Sequence, residues 1–338
     1  KEESTGLDFV HQIENVNDFE RQLLLPSQLS YSGPCMTKGD LNGDGLEDVA
    51  IGGGKNQATA IYFQQKGRKF QKQSIAVFEK DKAFNDADIV IFDANNDKKN
   101  DVLIVSGGYH QLAENDSLLQ DRLYLNQGNN TFTRAAFPKL AGSKSCVKAN
   151  DINKDGFLDL FVGTRFTPGK YPQSPGSYLL INNKKGGFTD QTKAYSPELA
   201  NIGMVTDAAW VDLNADKTNE LVIVGEFVPL TVLQFKGKTF ENTTEDYFDQ
   251  KYAGWWNKIA IGDFNQDQKP DILIGNIGLN TQFGASKDQP VEMYAKDFDK
   301  NGSVDPILCY YIQGKSYPFV TRDELLNQLP YLKPNYTN

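Results

Sequence analysis

The sequence predicts an all-β chain folded as a β-propeller of four-stranded antiparallel blades, and three observations carry that expectation. A nine-residue loop rich in Asp and Asn recurs six times, short apolar runs flank each copy, and two further strand-like runs follow most copies. The loops begin at Asp40, Asp93, Asp151, Asp212, Asp263 and Asp297, at intervals of 53, 58, 61, 51 and 34 residues. Such a period marks one supersecondary unit per repeat, and four strands per unit around an axis make a propeller blade. Six visible repeats imply a ring of six or seven blades.

Residues 1–34 hold no loop of this kind and read as a lead-in. Leu7 to His11 alternates like a short strand, and Ser32-Gly33-Pro34 reads as a turn. From 35 to 322 the repeats follow one plan. Apolar residues alternate before the loops, as Ile89 and Ile91 or Ile259 and Ile261 do, and continuous runs such as Val102 to Val105 and Leu221 to Val224 follow them. Both flanks are strands by length and β-branched content, so the loop is a hairpin connection. Third strands are expected at Ile61–Phe63, Leu123–Leu125, Tyr178–Ile181 and Thr231–Leu233, and fourth strands around Phe70, Phe132, Phe188 and Phe240. The sixth repeat is incomplete: a strand from Ile307 to Ile312, a turn at Gly314, Tyr317 to Val320, then a short helix from Asp323 to Leu329 in a tail running to 338. Either the lead-in supplies a strand that closes the ring, or the natural chain is longer and this tail is truncated.

The loops have the donor pattern of a calcium site. A hard cation takes six to eight oxygens, and alternate residues of a tight turn aim side-chain oxygens and one backbone carbonyl inward. The candidate ligands are Asp40, Asn42, Asp44, Leu46 (through its carbonyl) and Asp48 in the first loop, and Asp93, Asn95, Asp97 and Asp101 in the second. Asp151, Asn153, Asp155, Phe157 (carbonyl) and Asp159 form the third set, and Asp212, Asn214, Asp216 and Glu220 the fourth. Asp263, Asn265, Asp267 and Asp271 follow, then Asp297, Asp299, Asn301, Ser303 (carbonyl) and Asp305. An EF-hand needs a bidentate Glu at position 12; here that position holds Ile51, Ile104, Val162, Ile223, Ile274 and Leu308. Asx-rich turns can also cap hairpins without metal. Gly45, Gly156 and Gly302 at position 6 favour the first, third and sixth loops, because Lys98, Lys217 and Gln268 at that position need an uncommon positive φ.

Charge fits this reading. The six loops place 18 of the 44 acids at ligand positions, and three bound calciums would take the formal charge from −9 to −3. The acidic balance argues against a nucleic-acid partner, and no stretch reaches the length of a membrane span. Cys35, Cys146 and Cys309 are expected to be buried free thiols.

The loops and blade-end motifs such as Phe161-Val162-Gly163 resemble the FG-GAP or VCBS-repeat propellers that also build integrin α-subunits. Leu24-Leu25-Pro26, Gln120-Asp121-Arg122-Leu123-Tyr124, Gly254-Trp255-Trp256-Asn257 and Arg322-Asp323-Glu324-Leu325 are similar to the exported bacterial relatives of cartilage acidic protein. That resemblance implies a calcium-dependent, noncovalent role at the surface of a Gram-negative cell or in its periplasm, with anchoring through an N-terminus outside this sequence. It names no ligand.

Antiparallel topology places the calcium-type loops on one rim and the long connections on the other. Tyr109, His110, Arg165, Phe166, Tyr171, Trp255, Trp256 and Asn280 lie in those long connections and are the candidate ligand-binding residues, for a glycan or a surface protein. The bland alternative for the tryptophans is that they plug the channel or pack between blades. The rival function is a polysaccharide lyase or glycoside hydrolase on a calcium-binding propeller, drawing on Lys258, Tyr109, His110, Arg165, Asp88 or Asp207. With two histidines and no nucleophile or phosphate-loop motif, a binding module is the favoured expectation.

Overall fold

A computed structural model describes residues 5–31, 33–278 and 281–336, and it is an all-β propeller-like assembly. Blade 1 comprises β1 (Met36–Gly39), β2 (Asp48–Ile51), β3 (Ala60–Gln65) and β4 (Lys69–Gln73). Blade 2 comprises β5 (Asp86–Phe92), β6 (Asp101–Ser106), β7 (Arg122–Gly128) and β8 (Thr131–Ala135). Blade 3 comprises β9 (Ser143–Asn150), β10 (Asp159–Phe166), β11 (Tyr178–Asn182) and β12 (Phe188–Asp190). Each is an antiparallel sheet in simple sequential order.

Blade 4 departs from the expected four separate strands. It has β13 (Met204–Val211), one continuous element β14 (Glu220–Phe235) and β15 (Phe240–Asn242). Val222 and Val232 pack in one apolar cluster, although ten residues of straight strand would separate them by about 33 Å. The chain therefore reverses within β14, and Phe227, at φ 58°, sits where it does so.

The fifth repeat is shorter than the plan. Among the described residues it forms β16 (Ala253–Gly262) and β17 (Asp271–Asn276) and no further strand, and β16 also pairs with β14 through Trp255 and Glu226. The sixth sheet has β18 (Glu292–Lys296), β19 (Asp305–Ile312) and β20 (Lys315–Pro318), followed by a capped helix, Arg322–Gln328. Successive first strands pack side by side, β1 on β5, β5 on β9, β9 on β13 and β13 on β16.

Strands buried on both faces explain the continuous apolar runs. Side chains alternate between faces of a strand, so Val102 and Ile104 pack toward blade 1 while Leu103 and Val105 pack toward blade 3. The residue two places after each loop's last acid is Ala50, Leu103, Phe161 or Val222 in blades 1 to 4, all fully buried. Its counterpart in blade 5, Leu273, is 60% exposed. Leu103→Ala is therefore expected to cost about 2–5 kcal/mol and Leu273→Ala less than about 1 kcal/mol, measured by urea unfolding.

The lead-in differs from expectation. Among its described residues no strand forms at Leu7–His11 or elsewhere, and its one regular element is the 3-10 turn Asp18–Glu20. It packs as a strap instead. Leu25 and Leu29 join Tyr109, Phe166, Tyr171 and Met204, while Leu24 packs with Leu325 and Leu329 of the C-terminal helix region. The three cysteines are free, with Cys146 and Cys309 buried and Cys35 half-buried.

Candidate functional site: the loop rim and the strapped rim

All six Asp/Asn loops are hairpin connections that share one hydrogen-bond scheme; those of blades 1 to 4 are linked to one another along one rim, whereas the sixth meets the strap, where Gln22 donates to its Val304 carbonyl. The carboxylate at position 1 accepts the backbone N–H groups of positions 5 and 6, as Asp40 does from Asp44 (3.2 Å) and Gly45 (2.9 Å) and Asp212 from Asp216 (3.1 Å) and Lys217 (2.9 Å). Position 3 accepts from position 5, and position 5 from position 7. The acid at position 9 accepts the N–H of position 2 in every loop. In blades 1 to 3 its other oxygen accepts from the third strand, at Gln64 (2.9 Å), Asn126 (2.7 Å) and Asn182 (2.8 Å). The loop is thus pinned to its own blade.

The bulky residues at position 6 do not break this scheme. Lys98, Lys217 and Gln268 have φ of 67°, 65° and 67°, the same left-handed turn that Gly45, Gly156 and Gly302 take. Position 4 is left-handed too, at Gly43, Asn96, Lys154, Ala215, Gln266 and Lys300. The distinction drawn between loops with and without Gly therefore has no counterpart in their backbone.

Each loop presents oxygen donors alone, with no Cys or His among them, which is the donor chemistry of a hard cation. In the sixth loop one carboxylate oxygen each from Asp297, Asp299 and Asp305 lies within 4.8 Å of the others. Burial, and after it the charges of the neighbouring loop acids, pushes Asp101 and Asp159 up to about 6 and raises Asp48, Glu220 and Asp305. These carboxylates are crowded enough to resist carrying their charge without compensation.

Sequence reasoning missed the third-strand amides that link one blade's loop to the next blade. Asn126 of blade 2 donates to the carbonyl of Leu41 in the first loop (2.8 Å), and Asn182 of blade 3 to that of Ala94 in the second (2.8 Å). Their signal was an Asn closing both Leu-Tyr-Leu-Asn126 and Leu-Leu-Ile-Asn182.

On the opposite rim the structure does bring Tyr109, Phe166 and Tyr171 together, but as core rather than as an open mouth. The three rings are buried beneath the strap. Gln22 holds them there: its side-chain oxygen accepts from the Tyr171 N–H (3.0 Å) and the Tyr109 hydroxyl, and its nitrogen donates to the carbonyls of Tyr171 (3.0 Å) and Val304 (2.6 Å). Asp18, fully buried, accepts from Leu29, Ser30 N–H and the Ser30 hydroxyl, each at 2.7 Å. His110 stands 3.5 Å from that carboxylate.

Arg165 clamps the carboxylate of Glu226, which is 1% exposed and also accepts from the Tyr171 hydroxyl (3.1 Å). Trp255 and Trp256 are half-buried, Trp255 between Phe227 and Phe283 and Trp256 donating to the Tyr252 carbonyl (3.0 Å). Asn280 lies outside the described residues. The acids named for the rival enzymatic reading serve as ties between blades: Asp88 accepts from Val147 N–H (3.0 Å), Asp207 from Ile259 N–H (3.1 Å), and Lys148 bridges the two carboxylates at 3.4 and 3.1 Å. Lys258 is 3.7 Å from Asp207.

The structure is similar to a lectin from Agrocybe aegerita, described as specifically recognising non-reducing terminal N-acetylglucosamine, at 15% identity over 88% of this chain and 83% of that one, with a TM-score of 0.45. It is also similar to the V. cholerae biofilm matrix protein Bap1, at 12% identity over 83% of this chain and 39% of that one, with a TM-score of 0.35. None of the curated proteins matches the chain in sequence. The FG-GAP-like repeat matches four times, at residues 40–104, 93–162, 151–223 and 212–274, each match running from the start of one loop to the strand after the next. These matches span well over half of the sequence, and the chain belongs to the FG-GAP-like repeat family.

Proposed function

We propose that this propeller is a noncatalytic, calcium-braced binding module whose partner, a glycan or a surface protein, is taken on the rim opposite the loops. The observation that carries the proposal is the sixfold recurrence of one oxygen-lined hairpin, with the loops of blades 1 to 4 adjoining along one rim. Calcium in these loops would be held by the acids at positions 1 and 9, the acid or amide at positions 3 and 5 and the carbonyl at position 7; it would supply charge compensation and stiffness rather than chemistry. Open loops of this kind suit the calcium levels outside cells, which supports an exported protein.

With Tyr109, Phe166 and Tyr171 in the core, Arg165 committed to Glu226 and the His110 side chain only 14% exposed beside Asp18, the half-buried Trp255 and Trp256 are the foremost recognition candidates on that rim. Arg165→Ala is a poor probe, because it strands a buried carboxylate. Trp256→Ala is the better one. On a glycan array with calcium present, the variant is expected to lose its signal at least tenfold while its melting temperature changes little. Retained binding by the variant, or new reducing or unsaturated ends in the glycans, would contradict this reading.

A further inference from the structure

The six repeats act as controls for one another, and one cleft on the loop rim departs from the pattern. Between consecutive loops, three positions face each other: position 4 of the first loop, position 6 of the second, and the residue two before the second. That the side chains reach across is seen at Asn96, whose amide donates to the carbonyl of Gly156 (2.9 Å), and at Lys154, whose Nζ lies 2.7 Å from the Thr218 hydroxyl. The trio is Gly43, Lys98 and Ile91 between loops 1 and 2, and Asn96, Gly156 and Ala149 between loops 2 and 3. Between loops 4 and 5 it is Ala215, Gln268 and Ile261. Between loops 3 and 4 it is Lys154, Lys217 and Trp210.

This cleft has a volume of about 230 Å³, with Trp210, Phe235 and Phe240 as its aromatic floor. Trp210 is half-buried, its Nε1 3.4 Å from the Lys148 carbonyl and its ring against Phe240. Both lysines are exposed. Among the described residues Lys154 bonds only to a neutral hydroxyl and Lys217 makes no side-chain hydrogen bond or ion pair. The one acid on the wall, Asp151, turns its oxygens into its own loop, accepting from Asp155 (3.0 Å) and Gly156 (2.9 Å) N–H. An aromatic platform beside two exposed ammonium groups, neither of them in an ion pair among the described residues, matches a ring with one apolar face, several hydroxyls and a carboxylate.

We propose that the cleft between blades 3 and 4 binds an acidic sugar, a uronate residue of a polysaccharide, with Lys154 and Lys217 on its carboxylate and Trp210 under its ring. The site is on the opposite rim from the one in the preceding proposal and stands independently of it. The test is isothermal titration, with calcium present, of the whole chain with trigalacturonate, with its methyl ester, and with sulfate alone. Trigalacturonate is expected to bind, with an affinity that falls as salt rises. The methyl ester, and the acid offered to the double variant Lys154→Gln/Lys217→Gln, are each expected to bind at least tenfold more weakly. These exposed lysines can be replaced without disturbing the core, and Trp210→Phe gives a second variant with an expected severalfold loss. Trp256→Ala is expected to leave this binding unchanged. The proposal is overturned if trigalacturonate fails to bind, if the methyl ester binds equally well, if the double lysine variant binds as the parent does, or if sulfate alone binds as tightly as the sugar.

Discussion

Arg122→Leu is expected to cost about 3–5 kcal/mol of unfolding free energy, because it leaves the Asp86 carboxylate buried without its countercharge. Both side chains are 2% exposed, 2.6 Å apart, and the guanidinium also lies over the Phe84 ring. Asp86 reaches across to blade 1, where it accepts from the Gly53 N–H (2.8 Å) and the Thr59 hydroxyl (2.6 Å). The pair thus lashes one blade to the next. Urea unfolding of Arg122→Leu, Asp86→Leu and the double variant checks this: the double variant should lose less than the two single losses combined, since the residues share one interaction. Additive losses would show that the pair is not coupled.

Asp159→Ala is expected to be the most damaging change within a loop. Its carboxylate serves the N–H groups of Ile152 (3.1 Å) and Asn182 (2.8 Å), both in buried residues. Each donor left without a partner costs about 1–3 kcal/mol. That part of the loss should persist in chelator, because it belongs to the backbone rather than to a metal. Asp155→Ala provides the contrast. Its carboxylate accepts from the Phe157 N–H (3.0 Å) and sits on a more open part of the loop, so its loss should be large with calcium and small in chelator. Thermal unfolding of both variants, with and without calcium, separates the two roles of the same loop. Equal losses for Asp155→Ala in the two conditions would place calcium elsewhere.

What the sequence made legible was whatever recurs. The loops, their hairpin role and the strands of blades 1 to 3 follow from period and pattern and cover their expected places, and the helix Arg322–Gln328 lies one residue from its expected span. The strap was not legible, because residues 18–30 have no repeat to be compared with, and their key contacts come from Asp18 and Gln22, polar residues that sequence patterns assign to the surface. Its Leu23-Leu24-Leu25 run was the one hint that the segment is buried. For the same reason Tyr109, Phe166 and Tyr171 were recognised as neighbours on one rim while their burial was not.

Positive φ at Lys98, Lys217 and Gln268 was hidden for a different reason. Intrinsic preference disfavours such residues in the left-handed region by only a modest amount, and the hydrogen bonds from position 1 and position 9 outweigh it. The fifth blade, with two strands among the described residues, shows the converse: its apolar run resembles the others in sequence, yet Leu273 remains exposed.

The most direct test of the central claim is calorimetric melting of the whole chain in calcium and in chelator. Each loop filled at a free calcium concentration about a hundred times its dissociation constant adds about 2.7 kcal/mol to the native state. The account predicts that chelation lowers the melting temperature by several degrees or more and that restoring calcium recovers it. Superimposable melting curves in calcium and chelator would contradict it.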